Sequence, residues 1–218
     1  MAGVDLGIDL GTTKIIIYRY GKGIVLEEPS VVAYHTKTEK VVAVGHEALR
    51  MLGRTPAYIR TECPIRDGVI SNHLFTEYLI KEFVKKVSKS FLIKPRIAIC
   101  IPSAITDVEA RAVVEAAMSA GARKVYLVDE PIAAAIGAGL DIAKPNGQMM
   151  VDSGGGTTDV AVIALGGIVA SYSMRVAGNS FDEAIVKYLQ SEYKLAIGTS
   201  VAERIKKEIG CVFDPTEE

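Results

Sequence analysis

Residues 149–162, MMVDSGGGTTDVAV, place an acidic residue, three consecutive glycines and two threonines between apolar runs. The pattern reads as two short strands joined by a tight glycine turn. Consecutive glycines accept positive φ angles and bring backbone against a ligand with no Cβ in between. The N–H groups of Gly154, Gly155, Gly156, Thr157 and Thr158 then converge on an anion, as in other phosphate-cradling nests. Thr157 and Thr158 add hydroxyls, and Asp152 adds a carboxylate suited to Mg²⁺, usually through water. Taken alone, the stretch also fits a glycine-rich hairpin that binds nothing.

A second copy of the pattern stands near the start. Residues 7–18, GIDLGTTKIIIY, run from an apolar strand through Asp9, Gly11, Thr12, Thr13 and Lys14 into another apolar strand. Two such hairpins suggest a duplicated unit, and facing one another they would clamp a polyphosphate and its metal. Neither contains the Gly-x-x-x-x-Gly-Lys-Ser/Thr of a Walker loop. A dinucleotide fingerprint fails as well, because the glycines lie between strands and do not open a helix. Lys14 fits an ammonium beside phosphates and a solvent-facing strand residue equally well.

At 218 residues the chain is long enough for one large domain or two small ones. Its 49% hydrophobic content fits buried parallel strands, which read as continuous apolar runs. A net charge of −1 gives no electrostatic case for nucleic acid as a partner. Three cysteines suit reduced thiols better than a disulfide framework, and three scattered histidines lack metal-ligand spacing. Asp5 and Asp9 interrupt any secretory leader, and no run of about 18 apolar residues could span a membrane. A soluble cytoplasmic protein is expected.

Along the chain, strands are expected over 5–9, 15–20, 24–34, 96–101, 124–128 and 166–176. Residues 75–89 carry the helical period, with Phe75, Leu79, Phe83 and Val87 on one face and lysines on the rest. Thr106 and Glu109 form a capping box for the next helix, and Ser200 with Glu203 repeats that spacing before the last one. Between them, residues 181–193 suggest a helix with Phe181, Ile185 and Leu189 inward. The apolar triplet Phe91, Leu92 and Ile93, ringed by lysines, either folds back on the core or enters an anionic membrane surface.

Glu130 ends the strand at 124–128 and precedes Pro131, a favoured first helical residue. A carboxylate at the carboxyl end of a parallel strand faces the usual ligand crevice of α/β sheets. There it can orient a water for attack on a γ-phosphate. It also suits the helix dipole with no ligand at all.

The two hairpins resemble the phosphate motifs of the actin-like ATPase superfamily, and VDEPIAAAIGAGL (128–140) resembles its connecting helix. VLEEPSVVAY (25–34), AVGHEAL (43–49), GRTP (53–56), PIRDGVI (64–70) and NSFDEAI (179–185) narrow the resemblance to the MreB family of bacterial actins, across essentially the whole chain.

The resemblance implies an α/β actin-like, ribonuclease-H-like duplicated fold, with its first half complete and its second partial, as in a C-terminally truncated member. Residues 1–32 with 64–146 would form the first large subdomain and 33–63 its small subdomain. Residues 147–178 would begin the second large subdomain, and 179–218 part of the second small one. ATP and Mg²⁺ are the implied cofactors. Asp9 and Asp152 would serve the metal through water; Gly11, Thr12, Thr13, Lys14 and residues 154–158 would serve the phosphates. Gly178 would lie by the phosphates and ribose, and Glu203 and Lys206 by the adenosine. Glu130 and Thr157 would position the attacking water. The implied partners are further copies in a filament, the inner leaflet through residues 91–93, and cell-elongation proteins, with no nucleic acid. An ATPase chaperone or a non-polymerising nucleotide-binding scaffold is the alternative.

Overall fold

A computed structural model describes residues 5–88, 94–102 and 105–212. The first hairpin pairs β1 (Asp5–Leu10) with β2 (Lys14–Arg19), Asp9 opposite Ile16. Strand alternation sends Leu6, Ile8, Leu10, Ile15 and Ile17 to the inner face, and all five are buried. β1 also pairs in parallel with β9 (Arg96–Ile101), which pairs in parallel with β10 (Lys124–Asp129). With β3 (Gly23–Pro29) on the far side, the sheet order is β10-β9-β1-β2-β3.

Two helices supply the rest of this core. In α2 (His73–Val87) the expected stripe of Phe75, Leu79, Phe83 and Val87 is buried, and the Asn72 side chain caps the helix at the Phe75 N–H. α3 (Asp107–Ser119) opens on the expected capping box between Thr106 and Glu109. Val113, Ala116 and Ala117 of α3 join the same cluster.

The continuous strand expected over 24–34 is broken in two. β3 stops at Pro29, which has no N–H to extend a ladder. Ser30 is fully buried and turns back on the first hairpin: its N–H donates to Thr13 O at 3.1 Å and its hydroxyl to Gly11 O at 2.6 Å. The chain then enters a separate sheet, with β4 (Val32–His35) between β5 (Val41–Val44) and β6 (Ile59–Glu62). Helix α1 (His46–Met51) packs Ala48 against Val31, Ala33 and Ala43 there. A two-stranded hairpin, β7 (Ile65–Arg66) and β8 (Val69–Ile70), leads back to α2.

Helix α4 (Glu130–Gly137) carries the chain to the second glycine hairpin, β11 (Gln148–Ser153) and β12 (Thr158–Ala164), followed by β13 (Gly167–Met174). Ala135 of α4 packs on Ala161 and Ile163. The last elements are α5 (Gly178–Tyr193) and α6 (Thr199–Ile209).

Two local expectations are corrected here. Phe181 is 51% exposed, and its neighbour Asp182 is buried instead, because Asp182 pairs with Lys206 of α6. Ser200 does not cap α6. The helix begins at Thr199, with Gly198 in the N-cap position, and Glu203 meets Lys207 one turn on at 2.6 Å.

Candidate functional site

The tips of the two glycine hairpins touch. A Cβ on Gly155 would run into the Thr13 side chain, and one on Gly156 would lie 2.7 Å from Thr12 Oγ1 and 2.9 Å from Asp67 Cα. Real Cβ atoms do not come so close, so both positions admit only glycine without a shift of the opposing loop. The third participant is the β7–β8 turn. Gly68, at φ +72°, donates its N–H to Thr12 Oγ1 at 3.1 Å.

Between the tips lies a cavity of about 330 Å³, in the range of small-ligand sites. It collects most of the residues read from the sequence: Asp9, Gly11, Thr12, Thr13, Lys14, Glu130, Asp152, Gly154, Gly155, Gly156 and Thr157 all line it. Others stand apart. The Thr158 hydroxyl donates to Val176 O at 2.7 Å, which closes β12 on the following loop. The Gly154 N–H is taken within its own turn by Thr157 O at 2.9 Å, so it is withdrawn from the expected anion nest. Lys14 directs its ammonium at Glu27, 2.7 Å away, and not at the glycine turns. Gly178 sits behind the second turn, its N–H on Gly154 O at 3.1 Å, and Lys206 donates to the Gly178 carbonyl at 2.8 Å. Glu203 is exposed. Phe91, Leu92 and Ile93 lie outside the described residues.

The electrostatics are one-sided. Burial first, then the charges of Asp9, Asp159 and Asp152, push the Glu130 carboxyl up to about 8. Desolvation by the cleft walls raises Asp9 as well, with Asp152 adding to it, although solvent still reaches the side chain. Asp152 is raised by burial and by Asp159. Among the same acids the Cys100 thiol is pushed up to about 12, mainly by burial.

Asp159 was not among the expected site residues, yet it is 3% exposed, lines the cavity opposite Asp152, and its Oδ1 has no hydrogen-bond partner among the described residues. The available signal was strand alternation, which puts Asp159 on the inward face with Ala161 and Ile163. The Asp67-Gly68 turn was likewise visible only as a motif without a role.

Such a cleft repels a polyphosphate unless a cation comes with it. Among the described residues no group of three or more His, Cys, Asp or Glu is close enough to hold a metal alone.

Comparison with known proteins gives the family. The family model described as MreB/Mbl protein matches residues 3–218. The chain belongs to the MreB/Mbl family. It is 52% identical over 210 residues to the cell shape-determining protein Mbl of Bacillus subtilis (strain 168), covering 96% of this chain and 63% of that relative. It therefore spans somewhat under two thirds of the length of this MreB/Mbl relative.

Among solved structures, MreB5 of Spiroplasma citri bound to ADP superposes with a TM-score of 0.92 at 39% identity, over 100% of this chain and 65% of that one. A MamK double helical filament follows with a TM-score of 0.81 at 26% identity, over 98% and 67%. The fold is thus the mixed α/β actin-like one of MreB structures. No described helix is long and apolar enough to cross a membrane.

Proposed function

We propose that this MreB/Mbl-family chain binds ATP with Mg²⁺ between its two glycine hairpins, as part of a filament-forming bacterial actin that organises cell-wall elongation and rod shape at the cytoplasmic membrane. The observation that carries the reading is the meeting of the hairpin tips over a cleft of four carboxylates, Asp9, Glu130, Asp152 and Asp159. The ADP seen with the Spiroplasma MreB5 and the filament seen with MamK support it by kinship. The four-part division at residues 32, 63, 146 and 178 belongs to the same proposal.

In this reading Asp9 and Asp152 hold Mg²⁺ through water, and the ion supplies positive charge that offsets the phosphates. Gly11, Thr12, Thr13, Gly155, Gly156 and Thr157 surround the phosphate chain, with Thr158 buttressing the second turn. Lys14 leaves Glu27 to reach the phosphates. Gly178 and Lys206 border the ribose side, and Glu203 the adenosine. Glu130 accepts a hydrogen bond from the attacking water, with Thr157 as the second group that orients it. Further copies, the inner leaflet met through Phe91, Leu92 and Ile93, and cell-elongation proteins complete the proposed partners, and localisation is peripheral to the membrane on its cytoplasmic side.

Calorimetric titration with ADP tests the site. Saturable one-to-one binding in Mg²⁺, at least tenfold weaker in EDTA, is expected, about 1.4 kcal/mol or more. Glu130→Gln should leave that affinity within about threefold while lowering ATP turnover about a hundredfold. Absence of saturable binding, or affinity indifferent to Mg²⁺, would overturn the reading.

A further inference from the structure

The first turn of α5 buries a carboxylate and exposes an aromatic ring: Asp182 is 7% accessible while adjacent Phe181 is 51%. Burying a charge is costly unless it is paired, and this pairing is specific. Asp182 Oδ1 lies 2.8 Å from Lys206 Nζ on α6, with both side chains largely shielded from water. The ammonium directs its hydrogen bond to the Gly178 carbonyl, at 2.8 Å, and meets Asp182 as an ion pair. Gly178 in turn grips the second glycine turn. Its N–H donates to Gly154 O at 3.1 Å, and the Asn179 N–H donates to Gly155 O at 2.8 Å. A Cβ on residue 178 would stand 3.4 Å from Nζ and 3.7 Å from Gly155 Cα, so the ammonium lies close behind the phosphate turn.

We propose that Asp182 is a positioning residue for nucleotide binding: through Lys206 and the Gly178 carbonyl it fixes the Gly154–Gly155 backbone in the form that receives a polyphosphate. The proposal rests on the nucleotide reading of the cleft. Asp182 itself touches no ligand. Its charge keeps a long, otherwise mobile lysine in one rotamer across two helices, and the lysine keeps the carbonyl of the turn oriented. An ammonium has three N–H donors, and only one is directed at that carbonyl. The same line of contacts ties the cleft to α6.

The test is a double-mutant cycle with Asp182→Asn, Lys206→Met and the pair, read in ADP affinity and in hydrogen exchange of the Gly178 and Asn179 amides without ligand. Each single variant should weaken ADP about tenfold, and the pair should be no weaker than the worse single. In both singles the two amides should exchange about tenfold faster. Multiplied losses in the pair would mean that Asp182 acts independently of Lys206 and would overturn the proposal, as would wild-type affinity in Asp182→Asn. If the wild-type chain bound no ADP, the nucleotide reading would fail, and the proposal with it. Unchanged exchange in either variant would overturn the tether itself, whatever the fate of the nucleotide reading. Should Asp182→Asn fail to fold, Lys206→Met, at a partly exposed position, still gives the exchange result.

Discussion

The two glycine hairpins share a sequence pattern but sit in unlike surroundings. In the first, Ile8, Ile15 and Ile17 are sealed in the five-stranded sheet beneath α2 and α3. In the second, the buried apolar cluster is Ala135, Ala161 and Ile163, while Met149 is 65% and Val151 56% exposed on the opposite face. A glycine turn is specified by local chemistry and tolerates either setting. Burial depends on what packs against the strand, and that differs between the halves. The first hairpin is therefore a fixed anvil, and the second is the half held by its tethers: the Thr158 bond to Val176 O, and Gly178 with Lys206.

The largest effects should confirm this asymmetry. Ile17→Ala, at a site with no exposure, should cost about 2–5 kcal/mol in urea unfolding. A loss below about 1 kcal/mol would mean that the first hairpin is no more fixed than the second. Native-state exchange should show β2 amides opening only with global unfolding and β11 amides opening earlier.

A pH scan in chelator comes next. The folded Glu130 carboxyl, at about 8, lies above its ordinary value of 4.5, so between those limits the folded chain binds more protons than the unfolded one. Stability should fall as pH rises from about 4.5 to 8, and Glu130→Gln should flatten that fall. Because Asp9 is the largest of the charges acting on Glu130, Asp9→Asn should flatten the curve more than Asp152→Asn. The reverse order would shift the electrostatic weight to the second hairpin.

The smallest effect belongs to the exposed face. Val151→Thr should stay within about 0.5 kcal/mol in the same unfolding assay. A larger loss would show that this face is covered in solution.

What the sequence made legible follows from the same distinction. The hairpins, the α2 stripe and the Thr106–Glu109 box were readable because glycine turns, helical period and capping act over a few residues. Tertiary partners decided the rest. The strand expected over 24–34 broke where Pro29 and buried Ser30 serve the first hairpin. Glu203 matched a capping spacing yet faces Lys207. Asp159 and Asp182 lie inside motifs read from the sequence, but their burial is set by packing partners distant in sequence, such as Lys206 for Asp182. The family resemblance supplied what periodicity did not, an expectation of which ligand the cleft takes.

The central claim is that both hairpins hold one metal–nucleotide complex. Paramagnetic broadening by Mn²⁺ in place of Mg²⁺, read on assigned amides in the presence of ADP, tests it most directly. Resonances of residues 11–14 and of 154–158 should broaden together, and the broadening should vanish without ADP. Broadening confined to one hairpin, or the same pattern without nucleotide, would contradict the account.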